Sequence, residues 1–276
     1  MRRSKGRWRR AAARRRIARS EKGTLAYATN GDVRIHYQVE GEGQAIVLHH
    51  WTFSSLDAWY ELGYVDALAS EHRLILVDSR GHGGSDAPHD EAAYRPEPRV
   101  ADVVAVLDAA GVDRATFFGF SMGGWIGFAC ATWAPERFRA FIVGGQHPYA
   151  QTREGARAWL RVGEEEGAQA FIDLWEREVR PLRPAEKERV RRFDFAAMRA
   201  AAQDRDTLES TLPEIRVPCL LFAGRRDEVH ALAEKATRQI ESAEFVSLPG
   251  LTHGQSIERP DLVVPVVRSF LRRFRA

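Results

Sequence analysis

Seven short apolar runs, rich in β-branched and aromatic residues, alternate with helix-like segments along this chain of 276 residues. Six runs are continuously apolar, as in strands buried on both faces, whereas the first alternates and predicts a half-exposed antiparallel edge strand. Strands that alternate with helices favour an α/β fold with a mostly parallel central sheet and helices on both faces. The predicted strands are residues 33–39, 45–50, 73–78, 115–120, 140–145, 218–224 and 244–248.

The alternation stops between residues 147 and 205, where the pattern is helical only. A stretch of about 60 residues without a strand is too long for a single crossover between neighbouring strands. We therefore expect a helical cap over residues 147–205, inserted into a core of residues 24–146 and 206–276. The apolar face of its first part comprises Ala168, Phe171, Ile172, Trp175 and Val179.

The charge of the chain is unevenly placed. The net charge is +3, yet the first 20 residues hold nine Arg, one Lys and no acidic residue. Without them, 31 basic and 38 acidic residues remain, which is a net charge of −7. We interpret residues 1–23 as a basic, disordered tail. Nucleic-acid binding would depend on that tail alone, so nucleic acid is not predicted as a partner.

Composition also bounds the cellular setting. No apolar run approaches the roughly 18 residues that a membrane span needs, and the tail lacks the apolar region of a secretory signal. The two cysteines, Cys130 and Cys219, lie inside apolar segments and form neither a disulfide framework nor a metal site. We expect a cytoplasmic monomer or homo-oligomer that contacts no membrane and needs no metal or cofactor.

Residues 119–123 read GFSMG and fit the pattern G-x-S-x-G. The pattern is weak alone, but here a predicted strand precedes it and a helical segment follows, as a nucleophile elbow requires. In such a turn Ser121 Oγ projects from the carboxyl edge of the sheet, and the Met122 N–H points toward an oxyanion. We therefore predict that Ser121 is a nucleophile.

A serine hydroxyl becomes a good nucleophile only when a base takes its proton. His253 follows the last predicted strand in a loop, from which it can reach across the sheet edge. The base in turn needs a carboxylate to hold its tautomer. Asp227, directly after the strand at 218–224, is the predicted acid, and its neighbour Glu228 is the alternative.

Together these motifs resemble the α/β-hydrolase superfamily from about residue 24 to the C-terminus. The segment DSRGHGGSD at 78–86 is similar to the family turn D-x-R-G-x-G-x-S, and GRRD, TH and ERP occur in the family order. The resemblance implies the same triad of Ser121, Asp227 and His253. It also implies structural roles for Arg80, Gly81 and Gly83. A serine nucleophile argues against the epoxide hydrolases and haloalkane dehalogenases, which use Asp.

One segment departs from the family pattern. After the third strand the family usually has His-Gly, and the next residue donates the second oxyanion N–H. Here the chain reads LHHWTFSSLDAW at 48–59. If His49 is the family histidine, Trp51 is the donor, and if His50 is, Thr52 is the donor. Either way a bulky residue replaces Gly, which bears on the geometry of the oxyanion hole.

The predicted function is that of a serine hydrolase, which cleaves a small carboxylic ester or lactone through an acyl-enzyme on Ser121. Small esterases, enol-lactonases and cofactor-free haloperoxidases share this pattern. A perhydrolase or haloperoxidase, a carbon–carbon bond hydrolase, and a non-catalytic small-molecule-binding protein remain as alternatives. The substrate pocket is expected to include His50, Phe53, Trp125, Tyr149, Trp159 and Trp175.

Overall fold

A computed structural model describes residues 26–273, and in this part of the chain eight strands form one sheet. The strands are β1 (Ala26–Asn30), β2 (Val33–Glu40), β3 (Gln44–His49), β4 (His72–Val77), β5 (Ala115–Phe120), β6 (Phe138–Gly144), β7 (Cys219–Gly224) and β8 (Ala243–Leu248). Their order across the sheet is β1-β2-β4-β3-β5-β6-β7-β8. Only the pairs β1–β2 and β2–β4 are antiparallel. The mostly parallel sheet predicted from the sequence is therefore confirmed.

The two edges of the sheet differ from the prediction. β2 is not an edge strand, because β1 pairs with its outer side. β8 was expected to be buried on both faces, yet it forms the other edge and five of its six residues are only half-buried. The physical reason is that apolar patterning reports burial, whereas the position of a strand depends on which neighbours the connections bring to it.

Eleven α-helices lie within the described residues. They are α1 (Asp57–Glu61), α2 (Tyr64–Leu68), α3 (Pro96–Ala109), α4 (Met122–Trp133), α5 (Glu154–Glu166), α6 (Ala168–Glu178), α7 (Pro184–Val190), α8 (Phe195–Ala201), α9 (His230–Thr237), α10 (His253–Ile257) and α11 (Pro260–Arg272). The helices α3, α4 and α9 contribute to the core on one face of the sheet, and α1, α2, α10 and α11 contribute to the core on the other. This arrangement confirms the predicted helices on both faces.

The helices α5 to α8, hereafter the cap helices, lie between β6 and β7 and share a small apolar cluster of their own. The chain breaks between α5 and α6 at Gly167, whose φ of 91° favours glycine. Phe171 and Ile172 are buried there as expected, but Val179 lies beyond the end of α6 and is 54% exposed. The exact division into core and cap stays a prediction, and the basic tail lies outside the described residues.

The turn after β4 is held by a buried carboxylate. Asp78 accepts hydrogen bonds from the Leu56 N–H at 2.8 Å, the Gly84 N–H at 2.9 Å and His36 Nδ1 at 2.8 Å. Gly83 has a φ of 56°, and a Cβ there would lie 2.2 Å from the Asp78 carboxylate. Arg80 forms a bidentate pair with Asp102, both contacts at 2.6 Å. These contacts shape the turn and agree with the structural roles that the resemblance implies.

Both cysteines are buried and free. Burial in apolar surroundings raises the pKa of Cys219 to about 12, so its thiol is inert at neutral pH.

Across residues 26–273, no helix combines the length and the apolar character that crossing a bilayer would take.

Candidate active site

The candidate site is built on the turn between β5 and α4. Ser121 connects them with φ 53° and ψ −111°, a positive-φ conformation that costs energy for a residue with a side chain. A Cβ on Gly119 would lie 2.3 Å from the Gly123 carbonyl oxygen, and a Cβ on Gly123 would lie 2.2 Å from the His49 carbonyl oxygen. Only glycine fits at both positions, so the two glycines permit the sharp turn that presents Ser121 at the carboxyl edge of the sheet.

The serine lies in a chain of hydrogen bonds with two residues distant in sequence. Ser121 Oγ is 3.0 Å from His253 Nε2, and His253 Nδ1 is 2.8 Å from Asp227 Oδ2. With the proton on Nδ1 donated to the carboxylate, Nε2 is free to accept the serine proton. The structure thus brings together the three residues that the sequence predicted as a triad.

Different loops position the histidine and the carboxylate. His253 begins α10, where Thr252 and Gln255 form a capping box, and 42% of its side chain is exposed. Asp227 follows β7, its side chain has no exposed surface, and it also accepts from the Val229 N–H at 3.2 Å. Glu228, the alternative acid, instead lines the cavity beside Ser121. The geometry therefore selects Asp227 as the partner of His253.

Two segments can supply N–H groups to an oxyanion near Ser121. Met122 is the first residue of α4, so its N–H has no acceptor within the helix and lies at the positive end of the helix dipole. Trp51 and Thr52, in the loop after β3, both line the same cavity as Ser121. Both remain predicted candidates for the second donor.

A cavity of about 500 Å³ opens in front of Ser121 and His253. Its walls come from the β3 loop, from the cap helices and from α10. The apolar part of the lining combines aliphatic residues with five aromatic residues, which are Trp51, Phe53, Phe120, Phe171 and Trp175. A cavity of this size suits a small molecule with an apolar body.

Of the six predicted pocket residues, the structure places only Phe53 and Trp175 on this cavity. Trp125 lies on the other side of α4 and lines a second cavity. Trp159 packs inside the cap, its ring centre 5.8 Å from that of Trp175. Tyr149 accepts a hydrogen bond from Gln239 at 3.1 Å. These three assignments were therefore wrong. Sequence spacing shows that a helix or loop carries aromatic residues, but it does not show which of them face a cavity.

The fourth, His50, has no exposed surface. Its Nδ1 donates to the Trp51 carbonyl at 2.8 Å, and its Nε2 accepts from the Ser79 N–H at 3.1 Å. Burial, together with the nearby His82, lowers the pKa of His50 well below its usual range, so the ring is neutral. This residue ties the β3 loop to the β4 turn and does not line the cavity, which corrects the prediction.

Charged residues that the sequence analysis did not single out form one wall of the cavity. Arg180 contacts Glu186 at 2.7 Å and Glu258 at 2.6 Å, which links the cap to the end of α10. Burial opposes ionisation of Glu186, but hydrogen bonds from Arg180 and Arg183 outweigh it and lower the pKa of Glu186 to about 2. Nothing in the local sequence pattern marked this wall, because Glu258 joins the nearby residues Arg180, Arg183 and Glu186 from a distant segment.

A second unpredicted contact reaches the nucleophile turn itself. Gln146, just after β6, donates from Nε2 to the Ser121 carbonyl at 3.2 Å and accepts from Gln151 at 3.0 Å. No group of three or more His, Cys, Asp or Glu side chains suited to a metal ion occurs within residues 26–273.

Comparison with known proteins places this geometry in context. The family model for the alpha/beta hydrolase fold matches residues 44–198, which is more than half of the chain. The chain is 26% identical to the putative 2-succinyl-6-hydroxy-2,4-cyclohexadiene-1-carboxylate synthase of Bacillus subtilis, over 90% of this chain and 98% of that protein. It is 25% identical to 3-oxoadipate enol-lactonase 2 of Acinetobacter baylyi, over 89% of this chain and 96% of that protein.

A solved structure gives the same result. The enol-lactonase from Burkholderia xenovorans LB400 superposes with a TM-score of 0.77 at 27% identity, covering 90% of this chain and all of that one. The sheet order, the strand-to-helix turn at Ser121 and the matching family model all agree. We conclude that the chain is an enzyme of the hydrolase class and belongs to the α/β-hydrolase fold family.

Proposed function

We propose that this protein hydrolyses a small carboxylic ester or lactone through an acyl-enzyme on Ser121. The observation that carries the proposal is the geometry of the candidate triad, in which Ser121 Oγ lies 3.0 Å from His253 Nε2 and His253 Nδ1 lies 2.8 Å from Asp227. Both distances are those of direct hydrogen bonds, so a proton can pass from the serine to the histidine without rearrangement.

In the proposed reaction, Ser121 Oγ attacks the carbonyl carbon while His253 Nε2 takes the hydroxyl proton. Asp227 keeps the imidazole in the correct tautomer and stabilises the imidazolium that forms. The tetrahedral oxyanion accepts hydrogen bonds from the Met122 N–H and from the N–H of Trp51 or Thr52. His253 then gives its proton to the leaving alkoxide, and the same residues activate water to release the acid.

The cavity supports a small substrate. Its volume of about 500 Å³ and its aromatic lining favour an apolar or aromatic acyl compound over a polymer. Two relatives that match most of the chain are named enol-lactonases, which supports a lactone as one form of substrate. Most lining residues come from the loops and the cap helices, where specificity in this fold resides.

The test combines a fluorophosphonate serine probe with hydrolysis of p-nitrophenyl acetate, p-nitrophenyl butyrate and the lactone dihydrocoumarin. Wild type should react with the probe and turn over at least one substrate, and Ser121→Ala should lose both labelling and turnover. Ser210→Ala is the matched control, because Ser210 is an exposed serine. It should label and react like wild type.

Two results would contradict the proposal. If Ser121→Ala still labels and hydrolyses at the wild-type rate, the nucleophile is another residue. If wild type neither labels nor hydrolyses any of the three substrates, the bulky segment at 50–52 has disabled the oxyanion hole. The alternative of a non-catalytic binding protein would then be the one to pursue.

A further inference from the structure

Three arginines near the base of the cap lack an acidic partner. Within residues 26–273, no carboxylate oxygen lies within 4.0 Å of the guanidinium groups of Arg99, Arg153 or Arg205. By contrast, the neighbouring Arg80 and Arg157 are both paired with aspartates. The three unpaired arginines, hereafter the arginine cluster, therefore stand apart from the ion pairs around them.

Hydrogen bonds bring the cluster to one place. Arg99 Nη2 donates to the Ala201 carbonyl at 2.6 Å. Arg205 exchanges two backbone hydrogen bonds with Gln151, at 2.9 and 3.0 Å. The Arg153 N–H donates to Asp204 at 2.7 Å. The Arg99 side chain and the backbone groups of Arg153 and Arg205 are thus fixed around residues 201–205, and the charges of Arg99 and Arg153 are near enough to act on Arg205.

The cluster is buried in an electrostatically unfavourable state. Only 4% of Arg99 and 8% of Arg205 is exposed. Burial lowers the pKa of Arg99 to about 10, and burial with the like charges of Arg153 and Arg99 lowers that of Arg205. A buried charge without a counter-ion destabilises the fold, because the lost hydration is not replaced.

Hydrogen-bond donors without acceptors accumulate at the same place. Arg99 Nε, Arg153 Nε and Trp125 Nε1 are buried and have no hydrogen-bond partner. The Arg205 guanidinium lies over the Trp125 ring, 4.8 Å from its centre. Since native structures satisfy nearly all buried polar groups, a set made only of donors indicates a missing acceptor.

Acidic side chains do not fill that role. Asp204 is occupied by the Arg153 N–H and by Arg157 Nη1, the latter at 2.8 Å. Glu91, Glu97 and Asp206 line the same cavity as Arg99 and Arg205, but all three are exposed residues. Asp102 and Glu228 attract Arg99 and Arg153 from a distance, but Asp102 is bonded to Arg80 and neither acid accepts a hydrogen bond from the cluster. A molecule that enters the cavity would supply the acceptor that these donors lack.

We propose that the arginine cluster binds the carboxylate group of a small organic acid. A carboxylate matches the planar donor pattern of guanidinium groups and supplies the absent negative charge. The second cavity, of about 540 Å³, reaches Arg99 and Arg205 and is lined by Tyr94, Trp125 and Trp133, which suit an apolar body. Arg153 lines the Ser121 cavity instead, so the cluster also borders the candidate active site.

The carboxylate can come from two sources. One is a free organic acid in the second cavity. The other is a carboxylate carried by the substrate and reached from the Ser121 cavity, and this source rests on the proposed function. Arg205 Nη1 donates to Gln151 at 2.9 Å, and the hydrogen bonds continue through Gln146 to the Ser121 carbonyl. Either source would therefore link the anion to the nucleophile turn through the side chains of Gln151 and Gln146.

The binding test compares benzoate with its neutral analogue benzamide at constant ionic strength, with thermal denaturation and calorimetry as readouts. Benzoate should bind and raise Tm in wild type, and benzamide should not. Arg205→Gln and Arg99→Gln should weaken benzoate binding at least about tenfold, since each removes charged hydrogen-bond donors. Arg157→Gln is the matched control, because Arg157 is already paired and should leave binding unchanged.

If the buried variants fail to fold, Arg153→Gln provides the same test at the edge of the cluster, where the side chain is half-buried. Equal effects of benzoate and benzamide, or equal losses in Arg157→Gln and in the cluster variants, would overturn the proposal. This test requires no hydrolysis, so it stands even if the proposed function fails.

The source is resolved by two esters of similar size, p-nitrophenyl butyrate and mono-p-nitrophenyl succinate. If the substrate carries the carboxylate, KM should be lower for the succinate ester, and Arg153→Gln should raise that KM about tenfold without changing the KM for butyrate. If a free acid is the ligand, benzoate should stabilise the protein without competing with butyrate. Both results support the site, whereas no preference and no benzoate binding would contradict it.

Discussion

Two histidine–aspartate pairs of the same length occur in this protein. His253 Nδ1 lies 2.8 Å from Asp227, and His36 Nδ1 lies 2.8 Å from Asp78. The first pair stands at the mouth of a cavity, where 42% of the His253 side chain is exposed. The second is sealed inside the fold, with 8% of the His36 side chain exposed. The comparison teaches that a short His–Asp contact does not by itself define an acid–base site.

The difference lies in what the other imidazole nitrogen reaches. His253 Nε2 is 3.0 Å from the hydroxyl of Ser121. His36 Nε2 is buried and has no hydrogen-bond partner. Asp78 also accepts hydrogen bonds from two backbone N–H groups. Burial alone would raise the pKa of Asp78, but these bonds and the one from His36 outweigh burial, so the pKa of Asp78 is lowered. We infer that the second pair holds the turn after β4, whereas the first is poised to move a proton.

The largest expected effect comes from the exposed pair. His253→Ala should lower kcat for ester hydrolysis about 10⁴-fold, because the serine loses its base. Tm should change little, since the ring is partly exposed. The matched variant His36→Ala should lower Tm and keep kcat within about tenfold of wild type. Equal losses of activity in both variants, measured on folded protein, would contradict the assignment of a catalytic role to His253 and a structural role to His36.

Replacing the carboxylate of the first pair gives the next prediction. Asp227→Asn should lower kcat about 10³- to 10⁴-fold, because an amide no longer holds the productive tautomer of His253. Glu228→Gln should change kcat less than about threefold, since the Asp227 side chain occupies the position beside the histidine. Steady-state kinetics of both variants measure this, and the reverse ranking would make Glu228 the acid.

The second pair should report on stability. Asp78→Asn should lower the free energy of unfolding by about 3 kcal/mol, because the buried turn loses an ionised acceptor of several hydrogen bonds. Urea denaturation measures the effect, and Asp108→Asn, in an exposed ion pair, is the control, with a change below about 1 kcal/mol. If the free energy of unfolding decreases no more in Asp78→Asn than in the control, Asp78 does not stabilise the turn.

A smaller effect concerns the neutral histidine beside the second pair. Burial lowers the pKa of His82 to about 4. Between pH 6.5 and 4 the unfolded chain binds a proton at this residue and the folded protein does not, so stability decreases on acidification across this window. His82→Gln should flatten that decrease by roughly 2 kcal/mol in urea denaturation at each pH. An unchanged slope would show that His82 is protonated in the folded state.

Much of the candidate site could be predicted because its signals are local. The pattern around Ser121 needs two glycines for steric reasons that hold in any protein with this turn. Asp227 and His253 follow recognisable strands, and the order of the three residues along the chain limits the choices. The strands themselves were predicted within a few residues, except β1, in which a single residue is fully buried.

The errors share a cause. Trp125, Tyr149 and Trp159 lie on segments near the site, but their side chains do not line the Ser121 cavity. A residue on a helix or loop near a cavity can face away from it. The pairing of β1 with β2, and the half-exposure of β8, depend on the arrangement of strands across the sheet. Spacing along the chain carries no information about these long-range contacts.

The sequence by itself determined the turn at Ser121, the class of the fold and the identity of the three triad candidates, since steric demands and apolar periodicity act between near neighbours. Only the tertiary structure decided that His253 Nε2 lies within hydrogen-bond reach of a serine 132 positions away, whereas His36 Nε2 has no hydrogen-bond partner. It also decided that Arg99 and Arg205, both buried, and the half-buried Arg153 are near one another without a carboxylate partner. Such distances arise when separate segments pack together, and no local pattern encodes them.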